Sequence, residues 1–370
     1  MTIRPQGRPP FRADHIGSLL RPEALRQAFR RHAAGEIGAD AFTRIQDDCI
    51  RAAVRMQEEI GFEVVTDGEF RRGSYWGRFV ERTAGLEIRP AQLRFRDERG
   101  DEVDFTAPYA TAPVRRTRAL ALDELEGLLG AASATPKITL PAPSTMHFFR
   151  FSDFADPKVY ADVGSFFADL VGVYRDEIAE LARAGCKYIQ LDEVAIALLC
   201  DGAIRSKVAA AGGDPDALVD LYIDAINGAV SACASEVVVG VHMCRGNFRG
   251  RYLGEGGYES MAERFFARTN ANHFLLEYDT ARAGDFAPLR YVPSGKGVVL
   301  GLISSKNPAI EEMDVLRRRV GEAAKHIALD RLAISPQCGF ASTAAGNPLT
   351  EAEEQAKLRL VVEAARAIWV

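Results

Sequence analysis

VVVGVHMC, residues 237–244, is the stretch on which the fold turns. Four valines around a glycine make a run that is apolar on both faces and too short for a helix. Such a run reads as a parallel strand covered from both sides. Similar runs recur along the chain: 62–66 (FEVVT), 137–141 (KITLP), 188–191 (YIQL), 274–276 (FLL), 298–303 (VVLGLI) and 332–335 (LAIS), with a weaker one at 12–18 (RADHIGS). Between them, apolar residues fall at three- and four-residue spacing over 41–60, 163–184, 215–232 and 307–327, and again over 351–370. Eight strand–helix alternations predict an α/β chain folded as a (β/α)8 TIM barrel. One region breaks the rhythm. Residues 86–118 are charged, and LRFRDERGDEVDF (93–105) alternates about an Arg-Gly turn, which predicts a β-hairpin inserted after the second strand. No internal repeat or long Pro/Gly/Ser linker divides the chain, so a single domain over 1–370 is expected.

Bulk properties narrow the function. The 370 residues are 47% hydrophobic and 26% charged, ordinary for a globular enzyme. A net charge of −5, with basic residues scattered, argues against nucleic acid or an anionic membrane as the main partner. The opening MTIRPQGRPPFR has no apolar core of a signal peptide, and no window reaches the ~18 apolar residues of a membrane span. A cytoplasmic location is expected, with the six cysteines as thiols or metal ligands rather than a disulfide framework.

His242 and Cys244 stand at i and i+2 on a strand, so both side chains leave the same face. Taken alone, such a pair is more often a core thiol beside a satisfied histidine. Glu277 ends FLLE, and Cys338 follows LAISPQ. A barrel brings all strand C-termini to one face, where these four groups can meet. A His/Cys/Cys set with a carboxylate suits Zn²⁺. Cys49, Cys186, Cys200 and Cys233 lie in helical or pre-strand contexts and read as packing residues. Three other strand ends carry groups fit for a zwitterion: IGS (Ile16, Gly17, Ser18), TDGE (Asp67, Glu69) and LDE (Asp192, Glu193). Carboxylates after strands also serve as helix caps or pair with neighbours such as Arg71 and Arg72.

The pattern resembles the catalytic C-terminal barrel of cobalamin-independent methionine synthase, over nearly the whole chain. In that family a His-x-Cys pair, a later Glu and a Cys in a PxCG context hold zinc. The resemblance gives those roles to His242, Cys244, Glu277 and Cys338. It implies a methyltransferase that methylates homocysteine to methionine, with a folate or a corrinoid protein as methyl donor. Ile16, Gly17, Ser18, Glu69 and Asp192 would then hold the amino-acid part of the thiol substrate. Three departures stand out. The family's Trp after the third strand is replaced by His147 in PAPSTMHFF, which would face the donor. The family's His after the seventh strand falls on Lys306, which could supply charge, or a proton if its pKa is lowered. The long form's additional N-terminal barrel has no counterpart here, as in the family's short forms. A rival from the same superfamily is zinc-dependent opening of an epoxide by a coenzyme M-type thiol, with Arg71, Arg72 and Arg245 meeting the sulfonate. A metal-free barrel related to uroporphyrinogen decarboxylase would have no need of the His/Cys/Cys set. A homo-oligomer is open, with the hairpin either a subunit contact or a lid.

Overall fold

The protein is described by a computed structural model over residues 7–369; residues 1–6 and Val370, the end of the expected last helix, lie outside the described residues. The strands are β1 (Val64–Val65), β2 (Thr83–Arg96), β3 (Glu102–Arg116), β4 (Thr135–Pro141), β5 (Tyr188–Glu193), β6 (Val238–Met243), β7 (His273–Glu277), β8 (Gly297–Ile303) and β9 (Leu332–Pro336). Seven of them form one curled parallel sheet in the order β1-β4-β5-β6-β7-β8-β9. Their residues from β5 to β8 are buried at every position, as the runs apolar on both faces require.

The eighth stave is shorter than expected. Residues 12–18 pair with β9 only through the parallel bridge of Ala13 with Ile334, where Asp14 N donates to Ile334 O and Ile334 N to Arg12 O, both at 3.0 Å. Beyond it, Gly17 turns to φ +132°, which ends any extended pairing. The gap to β1 is crossed by Thr66 Oγ1 donating to Gly17 O (2.6 Å) and Leu19 N to Gly68 O (3.1 Å). The ring is therefore TIM-barrel-like, with a side-chain-assisted seam. Inside it, Ile16, Leu275, Val299 and Ala333 make one packed layer.

The seam is locked by buried charge. Lys137 Nζ lies 2.7 Å from Asp14 Oδ1, both side chains are fully buried, and Tyr188 OH donates to Asp14 Oδ2 at 2.7 Å. Burial pushes the Asp14 carboxyl up, but Lys137 outweighs it and holds the group below its usual range. Asp14→Ala strands the lysine charge in the interior, and such broken pairs cost about 3–5 kcal/mol. Urea unfolding should show that loss as a lower midpoint, and an unchanged midpoint would refute the lock.

The helices follow the periodicity with local corrections. Ala39–Ile60, Val163–Arg183, Pro215–Val230 and Glu351–Ile368 match their expected spans closely. Asp162 and Asp214 cap two of them, and Thr350 with Glu353 forms a capping box on the last. The expected 307–327 helix shrinks to Met313–Ala323. The preceding loop is held instead by Lys357, which donates to Ala309 O and Glu311. Further helices, Glu23–Ala33, Leu122–Ala131, Gly202–Ala210 and Glu259–Arg268, were not anticipated.

β2 and β3 pair antiparallel, which is the inserted hairpin, running 83–116. Arg116 ties its far end to Glu177 (Nε to Oε2, 2.9 Å) on the Val163–Arg183 helix. Among the described residues no helix is long and apolar enough to cross a membrane.

Candidate active site

Sheet register assembles the site. β5 and β6 pair Asp192 with His242, β6 and β7 pair His242 with Leu275, and Cys244 follows β6 at once. Cys338 stands two residues past β9, in a turn pinned by Gln337 N donating to Ile303 O (2.8 Å) and Asn247 Nδ2 donating to Gly339 O (2.8 Å). The ligand atoms of His242, Cys244 and Cys338 all lie within 4.8 Å of one another, and the two sulfurs are 3.8 Å apart. His242 Nδ1 donates to Leu275 O at 3.2 Å, which leaves Nε2 as a buried lone pair with no partner. A histidine held by a carbonyl on one nitrogen and open on the other is the usual arrangement of a metal ligand.

Electrostatics fit the same reading. The two thiols share one proton: the sulfur–sulfur hydrogen bond lowers Cys338 well below the ordinary range and raises Cys244 well above it. Burial pulls His242 down, yet the negative charge of Cys338 and of Asp192 close by leaves it raised.

Glu277 is not within the 4.8 Å group. Its Oε2 accepts from Arg245 N at 2.6 Å, and its Oε1 lies 3.5 Å from Lys306 Nζ. Burial raises the Glu277 carboxyl, but Lys306 and Arg245 outweigh that and lower it. Lys306 is expected to supply either charge or a proton, and its neighbours bear on which. Burial alone lowers it, but Glu277 and Asp279 more than compensate and raise its pKa. In this geometry it is a fixed cation rather than a ready proton donor, and it does not line the cavity beside the cluster.

That cavity, about 470 Å³, opens over His242, Cys244 and Cys338, with Ile16, Ser18, Glu69 and Asp192 on its wall. Glu69 is held at φ +58°, its Oε1 accepting from Thr139 Oγ1 at 2.8 Å while Oε2 is buried and unpartnered. Gly17 is not itself on the wall, but a Cβ there would lie 2.7 Å from Thr139 Cγ2, so the glycine lets the segment close on β4. Burial raises Asp192 to about 7, with His242 partly opposing it, and Gln190 Nε2 donates to its Oδ1 at 2.7 Å. Asp67 and Glu193 do local work: Asp67 accepts from Glu69 N (2.8 Å), and Glu193 from Ser144 Oγ (2.6 Å) and Ile196 N (2.8 Å).

The expectation for His147 needs correction. It is absent from the wall and packs among Phe154, Phe167 and Tyr222, with Nδ1 at 2.8 Å from Tyr222 OH. Burial lowers it to about 3, so it stays neutral in the core. The aromatic surface comes from residues the motif reading passed over: Tyr75 and Trp76, Phe149 and Phe248, and Phe95 and Phe105 of the hairpin. Paired aromatics in the Gly/Ser loop GSYWG (73–77) were the available signal. The hairpin contributes Phe95 and Phe105 to the cavity wall.

Gly339 gives a sharp test of the turn that carries Cys338. A Cβ there would sit 2.0 Å from Ser18 Oγ. Gly339→Ala must displace Ser18 or the cysteine, and the affinity of the His/Cys/Cys group for an added divalent metal should fall about 10–100-fold by chelator competition; unchanged affinity would show the turn to be slack.

Residues 11–367 match the family described as cobalamin-independent synthase, catalytic domain. The uncharacterized protein YxjH of Bacillus subtilis (strain 168) is 39% identical, covering 98% of this chain and 96% of its own. A methionine synthase of Pyrococcus abyssi is 26% identical over 88% of this chain and 85% of its own. A Listeria monocytogenes structure, described as a candidate vitamin-B12-independent methionine synthase, superposes with TM-score 0.78 at 32% identity, covering 97% of this chain and 98% of that one. With a metal-competent His/Cys/Cys cluster at the mouth of a TIM-barrel-like fold, the chain belongs to the cobalamin-independent methionine synthase family, as a catalytic domain of methyltransferase type.

Proposed function

We propose that this chain, acting as a single catalytic domain, methylates the thiol of homocysteine to give methionine, using a zinc ion held by His242, Cys244 and Cys338. The unpartnered Nε2 of His242 beside two sulfurs 3.8 Å apart carries this reading. Borderline-soft nitrogen and sulfur donors suit Zn²⁺, and Glu277, outside the three-residue group, would serve as a fourth, exchangeable ligand by moving toward the ion. When bound, the ion supplies a substrate thiolate at neutral pH. Glu69 and Asp192 grip the substrate ammonium, while backbone N–H groups of 16–18 and the Ser18 side chain meet its carboxylate. Lys306 holds Glu277 by charge. The donor classes implied by the family resemblance are a methyl-folate and a methylated corrinoid protein.

The test is elemental analysis of the purified protein followed by zinc K-edge absorption with and without homocysteine. The expected result is about one zinc per chain, gaining a sulfur neighbour when homocysteine is added. Absence of zinc after metal-replete purification sinks the proposal. The epoxide–coenzyme M reading is disfavoured because its arginines are engaged elsewhere. Arg72 is paired with Glu124, Arg71 with Asp47, and Arg245 donates to Gly256 O.

A further inference from the structure

The cavity wall has an unusual charge for a methylated pterin with an acidic tail. Glu69, Glu81, Asp104 and Asp192 lie on it, and no arginine or lysine does among the described residues. The deepest acid, Glu69, is 3% exposed; its Oε1 lies 3.6 Å from Arg72 Nη1 behind the wall, while Oε2 is unpartnered. The same wall carries a run of touching aromatic rings: Phe95 meets Phe105 edge-on at 4.8 Å and stacks on Phe248 at 5.3 Å, and Phe105 meets Phe149 at 5.3 Å. Tyr75 and Trp76 extend it. Bases near the rim are turned away or already placed. Arg94 is held by Asp104 (2.8 Å), and the Arg249 guanidinium lies 5.3 Å from the centroid of the Phe248 ring. A divalent ion on two cysteine thiolates is locally neutral, and a substrate thiolate restores one negative charge beside the acids.

Aromatic faces beside carboxylates favour a cation. We propose that the methyl group arrives on a small onium ion, an S-methylsulfonium or an N-methylammonium, rather than on a polyanionic pterin. This rests on the reading that the site methylates a thiol. The thiolate sulfur forms a bond to the methyl carbon, and the carbon–onium bond breaks with its electron pair going to the departing sulfur or nitrogen. The donor leaves as a neutral thioether or tertiary amine centre. Negative and positive charge cancel in the step, and the leaving group needs no proton. That agrees with Lys306 and His147 both lying off the wall.

Two measurements test it. Trp76 and Trp369 are the only tryptophans, so Trp369→Phe leaves Trp76 as the reporter of the cavity. Choline should change its fluorescence saturably, with a Kd about tenfold below that of the neutral isostere 3,3-dimethylbutan-1-ol; equal affinities overturn cation selection. The unaltered zinc-loaded protein is then given homocysteine with deuteromethyl-labelled S-methylmethionine, glycine betaine, methyltetrahydropteroyltriglutamate or methylcobalamin. Labelled methionine should form from one of the two onium donors at least about tenfold faster than from the pterin. Turnover with pterin or corrinoid and with neither onium overturns the inference and leaves homocysteine methylation standing. Turnover with no donor, by protein that holds zinc, overturns both.

Discussion

Cys338→Ser is expected to empty the metal site and to lower methyl transfer roughly 10³-fold or more, at about 1.4 kcal/mol per tenfold for an interaction of several kcal/mol. A serine hydroxyl stays protonated at neutral pH and is a hard donor, so it cannot replace the thiolate that this position favours so strongly. The neighbouring Cys244 and Lys306 both respond electrostatically to Cys338, so the loss reaches the whole cluster. The barrel does not depend on the residue, because Cys338 follows β9 rather than forming part of it. Far-UV circular dichroism should therefore be unchanged while zinc content collapses. Cys49→Ser is the matched control: Cys49 sits half-buried on the Ala39–Ile60 helix and should keep full zinc and activity. Retention of zinc and turnover by the Cys338 variant would remove the cluster from the chemistry.

What the sequence disclosed and what it withheld divide along a physical line. Strands buried on both faces announce themselves by composition, so β4 through β9 and the residues at their ends were legible, and with them the convergence of His242, Cys244 and Cys338. The 12–18 stave was weak in sequence because it is weak in hydrogen bonding; side chains of Asp14, Lys137 and Thr66 do what a ladder does elsewhere. The position of His147 was misjudged because the chain after β4 turns through two short 3-10 segments, 143–146 and 148–150, which rotate that ring into the core. Whether Lys306 supplies charge or a proton was not legible in sequence, because the carboxylates of Glu277 and Asp279 that face it come from another strand end. The aromatic wall was missed for a third reason. Its members come from the loop after β1, the hairpin, the loop after β4 and the loop after β6, and only the tertiary fold makes them one surface.

The hairpin thus changes what the barrel can accept. Without β2 and β3 the cavity would lose Phe95, Phe105 and the rim residue Ile88, which is 52% exposed at its edge. An insertion that leaves the metal cluster untouched still sets the size and charge of the chamber above it. Fold and thiol chemistry are in this way separable from donor choice, and substitutions in the hairpin should move the KM of the donor more than that of the thiol.

Asp192→Asn should trade function for stability, and pH is what exposes the trade. In the zinc-free protein the Asp192 pKa is raised to about 7 by burial, against about 3.9 in an unfolded chain. Between those values the folded state holds a proton that the unfolded state has released, so stability falls as pH rises through about 4 to 7. Above pH 7 the full penalty of a buried carboxylate is present; below pH 4 none of it is. Asparagine carries no such penalty, so the variant should match the parent in stability near pH 4 and exceed it by up to about 4 kcal/mol at pH 8, at ~1.36 kcal/mol per unit over about three units. Asp67, Glu193 and Glu354 are raised for the same reason, but they are common to both proteins and cancel in the difference. The function should move the other way. If Glu69 and Asp192 hold the substrate ammonium as proposed, removing one of them leaves a buried cation half-paired, and kcat/KM for homocysteine should fall about 10²-fold. Its decline toward acid pH, which in the parent includes protonation of Asp192, should also flatten. A variant less stable at pH 8, or one with unaltered kcat/KM, would show that Asp192 is ionised and structurally paired rather than held in readiness for a ligand.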